Sequence, residues 1–258
     1  MLRSGLATGG LGLAALIPSL GACGSSRTGS AVPVAQNATP TPTTTPTQTT
    51  GTKTAEKLTP TQAWNKLAQG NQTWAAGKRT CPQESVERRQ EVAPAQNPFA
   101  VVVSCIDSRL PPETVFDQGV GALFVVRTGA QTIDDLVTGS IEYGPLEHET
   151  PLIVVMGHQR CGAVKATVES LQHNKPLPPH LNAIVNSVKP AYETAKTKGG
   201  DVVDETIRAQ TLRTASTLAA DPALSPKVAK GTLGLVAAYY SLDTGKVSVL
   251  QTLGFRPA

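Results

Sequence analysis

Aromatic side chains are scarce: four Phe, four Tyr and two Trp in 258 residues, about 4% of the chain. So few rings provide no evident stacking platform for single-stranded nucleic acid. Basic runs are missing as well. The formal net charge is +4, yet no stretch of five or more Lys or Arg occurs. That removes the electrostatic footprint expected of a nucleic-acid binder. The densest cluster, Glu87-Arg88-Arg89 with Glu91, mixes signs and reads as a solvated helix face. No apolar run reaches the roughly 20 residues of a membrane-spanning helix, and no internal repeat is visible. Cysteine is sparse too, four in all, so the place of each one matters. The remainder, 40% hydrophobic and 16% charged, is ordinary for a globular protein.

The longest apolar stretch, Leu6 to Leu20, follows Arg3 and is rich in Gly and Ala. Its length suits the apolar region of a secretory signal peptide. It ends in Leu20-Gly21-Ala22-Cys23, a string that resembles a bacterial lipobox, whose cysteine becomes the lipidated first residue of the mature protein. The expectation is a signal peptide over 1–22 and a lipid on Cys23, with a plain signal peptide as the alternative. Residues 30–54 are dominated by Thr, Pro, Gln and Gly. Such a tract cannot bury enough apolar surface to offset its ordering entropy, and its prolines make it a semi-stiff spacer. A linker is therefore expected over 23–57 and one folded domain over 58–258. Roughly 200 residues are enough for one substantial core.

Within that domain, Thr59-Pro60 reads as a helix start, a capping hydroxyl followed by proline at the first helical position. Trp64, Leu67, Asn71 and Trp74 recur at helical spacing on one face, and Gly77 ends the helix. Phe99 to Val103, Leu123 to Val126, Leu152 to Met156 and Thr232 to Tyr239 are short continuous apolar runs. They suit strands buried on both faces of a parallel sheet. Lys246 to Leu250, after the turn Asp243-Thr244-Gly245, reads as an edge strand. Helical stretches lie between: Thr132 to Leu146, Ala163 to Leu171, Leu181 to Thr197 and Val203 to Ala219. The alternation predicts an α/β fold with a mainly parallel central β-sheet flanked by helices and an N-terminal helical arm.

In such sheets ligands bind beyond the carboxyl ends of the strands. The first strand runs into Cys105-Ile106-Asp107-Ser108-Arg109, the third into His158-Gln159-Arg160-Cys161. Two thiolates and an imidazole with a fourth position open describe a catalytic zinc site, and soft ligands suit zinc better than magnesium or calcium. The competing reading is a Cys105–Cys161 disulfide in an exported protein. It is weakened by arithmetic: of four cysteines, a lipidated Cys23 leaves three, an odd number.

Cys-x-Asp-x-Arg on one strand and His-x-x-Cys on a later one together resemble the β-carbonic anhydrase signature, here Cys105, Asp107, Arg109, His158 and Cys161. Ala63-Trp64-Asn65-Lys66-Leu67 with Gly70-Asn71, Val115 to Gly119, Leu123 to Arg127, Ser140 to Tyr143, Cys161 to Val164 and Ala238 to Tyr240 also resemble that family. The likeness spans roughly residues 58 to 252. It implies one zinc per chain, reversible hydration of carbon dioxide to bicarbonate, and a homodimer or higher even oligomer. It implies that zinc supplies a nucleophile from water near neutral pH, that Asp107 orients it, and that Arg109 holds Asp107 off the metal. Gln96, Phe124 and Tyr143 fall at substrate-pocket positions. Val102 stands where closed-site members carry tryptophan, which points to the open type.

Some residues depart from the family pattern. Arg127-Thr128-Gly129-Ala130-Gln131 stands in place of Arg-x-Ala-Gly-Asn, so the apolar wall expected at Gly129 is missing. Gly144-Pro145 replaces a helix-favouring pair, and Pro145 is expected to end its helix early. Two rivals share the same ligands: a hydrolase of carbonyl sulfide or carbon disulfide, and a zinc-storing surface lipoprotein. A storage protein would have no need of Asp107 and Arg109. A purely structural lipoprotein has no binding-surface signature in its favour.

Overall fold

The computed structural model describes residues 57–256. The signal-peptide and lipobox expectations, Cys23 included, and nearly all of the linker lie outside them. The first helix, α1 (Pro60–Ala75), starts where capping chemistry puts it. Thr59 Oγ1 accepts from the Gln62 amide at 3.3 Å, and the Gln62 side chain accepts from the Thr59 amide at 2.8 Å. This reciprocal pair satisfies two of the orphan donors of the first turn. Gly77 follows the helix in the left-handed region, φ +66°.

Five strands form one sheet: β1 (Ala100–Cys105), β2 (Leu123–Thr128), β3 (Leu152–His158), β4 (Gly234–Tyr240) and β5 (Val247–Leu253). Their order is β2-β1-β3-β4-β5, with the first four parallel and β5 antiparallel at one edge. β1, β3 and β4 are buried along their whole length, which is why their sequences are unbroken apolar runs. Alternate side chains serve opposite faces. Val102, Val154, Met156 and Val236 pack with Ala63, Trp64 and Leu67 of α1. Val101, Val103, Ile153, Val155 and Leu235 pack on the other side, against Ile141 of α4 (Asp135–Glu147) and Ala215 and Leu218 of α7 (Val202–Ala219).

The remaining helices are α2 (Val86–Val92), α3 (Pro112–Val115), α5 (Gly162–Gln172), α6 (Pro179–Ala195) and α8 (Ser225–Ala229). α2 carries the mixed-charge cluster and starts at Ser85, whose hydroxyl accepts from the Arg88 amide. One expectation fails: Pro145 does not end α4 early, and the helix runs on to Glu147. Tertiary packing overrides the local signal. Gly144 lies so close to β1 and β2 that an added Cβ would sit 2.6 Å from Val101 Cγ2 and 3.2 Å from Phe124. Its carbonyl accepts from the amides of both His148 and Thr150, which closes the helix beyond the proline.

Strand order places the site. β2 lies on one side of β1 and β3 on the other, so the chain leaves β1 and β3 in opposite directions. The crevice left between their carboxyl ends is where α/β sheets bind ligands. The β4–β5 turn closes over one side of this end and is fastened to α1 by Asn71. Asn71 Nδ2 donates to the carbonyls of Gly245 (2.8 Å) and Val115 (3.1 Å), and its Oδ1 accepts from the Val247 amide (2.8 Å). Replacing Asn71 with Ala strands these buried groups, and the expected loss is about 2–4 kcal/mol of stability. Denaturant titration measures it, and a loss under about 0.5 kcal/mol would show that water replaces the amide without penalty.

Candidate metal centre

Cys105 closes β1 and His158 closes β3, on neighbouring strands in parallel register. Cys161 caps the N-terminus of α5. The three residues are buried, and their ligating atoms all lie within 4.8 Å of one another. The two sulfurs are 3.8 Å apart and both thiols are free, so the competing disulfide is not formed. Hydrogen bonding from Cys161, opposed by burial, brings the Cys105 thiol down to about 4; the amides of Ala130 and Asp107 add to that effect. The same contact, with burial, pushes Cys161 up, while the first-turn amides of Val164 and Ala163 act in the opposite direction. A thiolate at a helix N-terminus is favoured by the exposed amides there.

The imidazole is oriented as a ligand. His158 Nδ1 lies 3.0 Å from the Gln159 carbonyl. A carbonyl can only accept, so Nδ1 carries the proton and Nε2 keeps its lone pair. Nε2 is fully buried with no hydrogen-bond partner. A buried acceptor of this kind demands an explanation, and a metal ion facing two thiolates supplies one. The donor set, two sulfurs and one imidazole nitrogen, fits zinc.

Beside this group stands Asp107, with Oδ2 4.0 Å from His158 Nε2. Arg109 grips the carboxylate with both arms: Nε to Oδ1 at 2.9 Å and Nη2 to Oδ2 at 2.7 Å, with its own amide donating to Oδ1 at 3.0 Å. These bonds hold the Asp107 carboxyl at about 2, against the opposing effect of burial. A lowered folded-state pKa stabilises the fold above the ordinary carboxylate range, and that contribution is lost progressively as pH falls from that range through about 2. Arg127 shapes the loop from behind. Its Nε donates to the Cys105 carbonyl (2.9 Å) and its Nη2 to the Asp107 carbonyl (2.5 Å). Sequence reasoning gave Arg127 no role; its position at the end of the β2 run was the only signal.

The three pocket residues lie apart from this centre. Phe124 sits four positions before Thr128 on β2, and Thr128 is the register partner of Cys105. Four residues of strand are roughly 13 Å. Phe124 packs instead on Tyr143 of α4, with ring centroids 5.8 Å apart. His148, which sequence reasoning missed, completes the cluster at 5.4 Å from Phe124 and 5.0 Å from Tyr143. Gln96, exposed on the loop before β1, lies 3.4 Å from His148. Gln96, Phe124 and Tyr143 therefore come together, but on a single chain they do not wall the metal-ligand group.

The wall expected to be missing at Gly129 is supplied from elsewhere. A Cβ on Gly129 would lie 2.7 Å from Ile184 Cδ1, so Ile184 of α6 fills that space. Gly129→Ala is expected to cost about 1–3 kcal/mol through overpacking. Ile184→Val, which removes the clashing methyl, should recover most of it in the double variant. Additive losses in a thermal or denaturant double-mutant cycle would show that the two positions do not share the space.

The family model described as carbonic anhydrase matches residues 100–247. Carbonic anhydrase 2 of Mycobacterium tuberculosis is 37% identical over 196 residues, which cover 76% of this chain and 95% of that protein. A carbonic anhydrase of Mycolicibacterium smegmatis is 39% identical over 196 residues, again 76% of this chain and 95% of the relative. Among solved structures, a Coccomyxa β-carbonic anhydrase in complex with acetazolamide superposes with a TM-score of 0.57 at 25% identity, covering 71% of this chain and 85% of that one.

Proposed function

The chain belongs to the β-class carbonic anhydrases and catalyses the hydration of carbon dioxide; from that premise we propose a zinc enzyme, tethered by lipid outside the cytoplasm, that works as a dimer or larger even assembly. The observation that carries the zinc assignment is the buried, partnerless Nε2 of His158 facing two thiols. Cys105, His158 and Cys161 hold the ion, which when bound makes water acidic enough to act as nucleophile near neutral pH. Asp107, ionised at every working pH, would accept a hydrogen bond from that nucleophile and so orient it. Arg109 occupies both carboxylate oxygens and so keeps Asp107 from taking the fourth metal position. Two thiolates offset the ion's double charge, so activity should rise with pH through neutrality and level off on the alkaline side.

A second copy of the chain accounts for the separated pocket residues. The outer face of α4 leaves Leu136 81% exposed and Tyr143 46% exposed, beside the half-buried edge strand β2. In the assembly proposed here, this face meets its equivalent and lays Gln96, Phe124 and Tyr143 of one copy over the metal centre of the other. They supply a small, mostly dry pocket in which Gln96 orients the substrate. Among the described residues no helix is long and apolar enough to cross a membrane. Membrane attachment is assigned to Cys23, supported by the Leu20-Gly21-Ala22-Cys23 string and the Thr/Pro tract behind it.

The central test measures zinc content and carbon dioxide hydration together across a pH series. Wild type should carry one zinc per chain and Cys161→Ser very little. Arg109→Ala should keep its zinc, since all three ligands remain, but lose turnover on the order of a hundredfold, comparable to other losses of a metal-supporting contact. Wild-type turnover in Arg109→Ala would reduce the pair to a structural role, and zinc-free active enzyme would end the assignment.

The tether is tested separately. Cys23→Ser should move the protein from the membrane to the soluble exported fraction, because stable anchoring needs more than one acyl chain and this cysteine is the site proposed to carry them. Unchanged membrane association of the variant would exclude lipidation as the anchor.

A further inference from the structure

Only Gln159 and Arg160 separate the ligands His158 and Cys161, and both are held from outside the metal centre. Arg160 is in the left-handed region, φ +55°, which side chains other than Gly, Asn and Asp seldom adopt. Such a residue persists where its surroundings over-determine it. Here the surroundings come from the end of β4 and the β4–β5 turn: the Gln159 amide donates to the Tyr240 carbonyl at 2.9 Å, and the side-chain hold on Arg160 is Asp243. Asp243 Oδ1 accepts from Arg160 Nη2 at 2.6 Å, and its Oδ2 accepts from Gln159 Nε2 at 2.8 Å. The Asp243 amide and the Ser241 hydroxyl return bonds to Gln159 Oε1 at 3.3 and 3.4 Å.

The two residues held in this way face the chemistry with their backbone. The Gln159 carbonyl receives His158 Nδ1 and so sets which ring nitrogen is free for the metal. The Arg160 carbonyl accepts from Arg109 Nη2 at 3.3 Å, the same nitrogen that grips Asp107. One carboxylate thus reaches both the imidazole ligand and the guanidinium beside Asp107 through a single two-residue turn. We propose that Asp243 is a positioning residue for the metal centre, holding the Gln159-Arg160 turn in its left-handed form and thereby the His158 ring and the Arg109 guanidinium. The inference rests on the reading that Cys105, His158 and Cys161 hold a metal. The Arg160–Asp243 pair is about half exposed, with side-chain exposures of 56% and 55%. A pair of that kind adds little to global stability, so its removal should be felt locally.

The experiment uses the full chain loaded with zinc, and separately with cobalt(II) as a spectroscopic probe. It measures the rate of zinc transfer to a coloured chelator and the visible spectrum of the cobalt form. Asp243→Ala should release zinc about tenfold faster or more and shift the cobalt bands, with an unfolding midpoint close to wild type. Adding Arg160→Gly to that variant should slow zinc release again, because glycine holds the left-handed turn without help. A purely structural ion pair would give no such rescue. Asp243→Asn, neutral and of the same shape, takes the place of the Ala variant if that one fails to fold. Zinc release and a cobalt spectrum like wild type in the Asp243 variant would overturn the proposal. So would a double variant that releases zinc as fast as Asp243→Ala alone. Failure of the wild type to take up either metal would instead bring down the metal reading itself.

Discussion

Two sulfur atoms 3.8 Å apart, with almost no solvent around them, cannot both carry charge unless a cation stands between them. Burial penalises each anion, and each penalises the other. Much of the structure at the carboxyl end of the sheet can be understood as an answer to that repulsion. Cys161 sits at the mouth of a helix, where free amides point at its sulfur. Cys105 receives the amides of Ala130 and Asp107. For Ala130 to offer that amide, it and Gln131 adopt left-handed backbone, φ 55° and 44°. Gln131 is tied down by a buried bond from its amide to Thr211 of α7, at 3.0 Å. The turn is thereby anchored to α7 right beside β3, where Gly157 leaves room for Thr211 and Gln131.

The sheet's share in this is geometric. Parallel strands end together, and a strand order that runs outward in two directions leaves a cleft at β1 and β3 alone. A cysteine at the end of one and a histidine at the end of the other meet because the register of β1 on β3 pairs Ser104 with Met156. A one-residue slip would turn the whole strand over, carrying Cys105 to the opposite face. The apolar clusters on both faces forbid such a slip, so core packing and ligand geometry are specified by the same residues.

Much of this was legible in the sequence for identifiable reasons. Strands buried on both faces show as unbroken apolar runs, and β1, β3 and β4, with the edge strands β2 and β5, were found within a few residues. Thr59-Pro60 marked a helix start because its capping chemistry is local. Less legible was whatever depends on a contact distant in sequence. Pro145 was expected to stop α4, but the close seat of Gly144 on β1 and β2 carries the helix past it. The wall over Gly129 was expected to be absent, but Ile184, 55 positions on, provides it. That Cys105, His158 and Cys161 come together could be foreseen because strand ends converge in any α/β sheet. Gln96, Phe124 and Tyr143 were grouped by their likeness to a pocket, and no rule of local pattern shows that they gather beside the far end of the edge strand β2, away from Cys105. Arg127 donates to backbone carbonyls and Arg160 to an aspartate more than eighty residues on, uses of arginine that leave no local spacing to recognise.

Both oxygens of Asp107 are committed to a permanently charged guanidinium, so this carboxylate can accept a proton's attention but cannot offer one. Next to the metal group it therefore behaves as a filter on chemical form. A visitor bearing a hydrogen on its coordinating atom, as water, hydroxide and bicarbonate do, finds an acceptor waiting. A halide, cyanate or nitrate brings only lone pairs and meets a fixed negative charge. The Asp107–Arg109 geometry thus implies a ranking among small anions that follows hydrogen-bond donation rather than affinity for the metal.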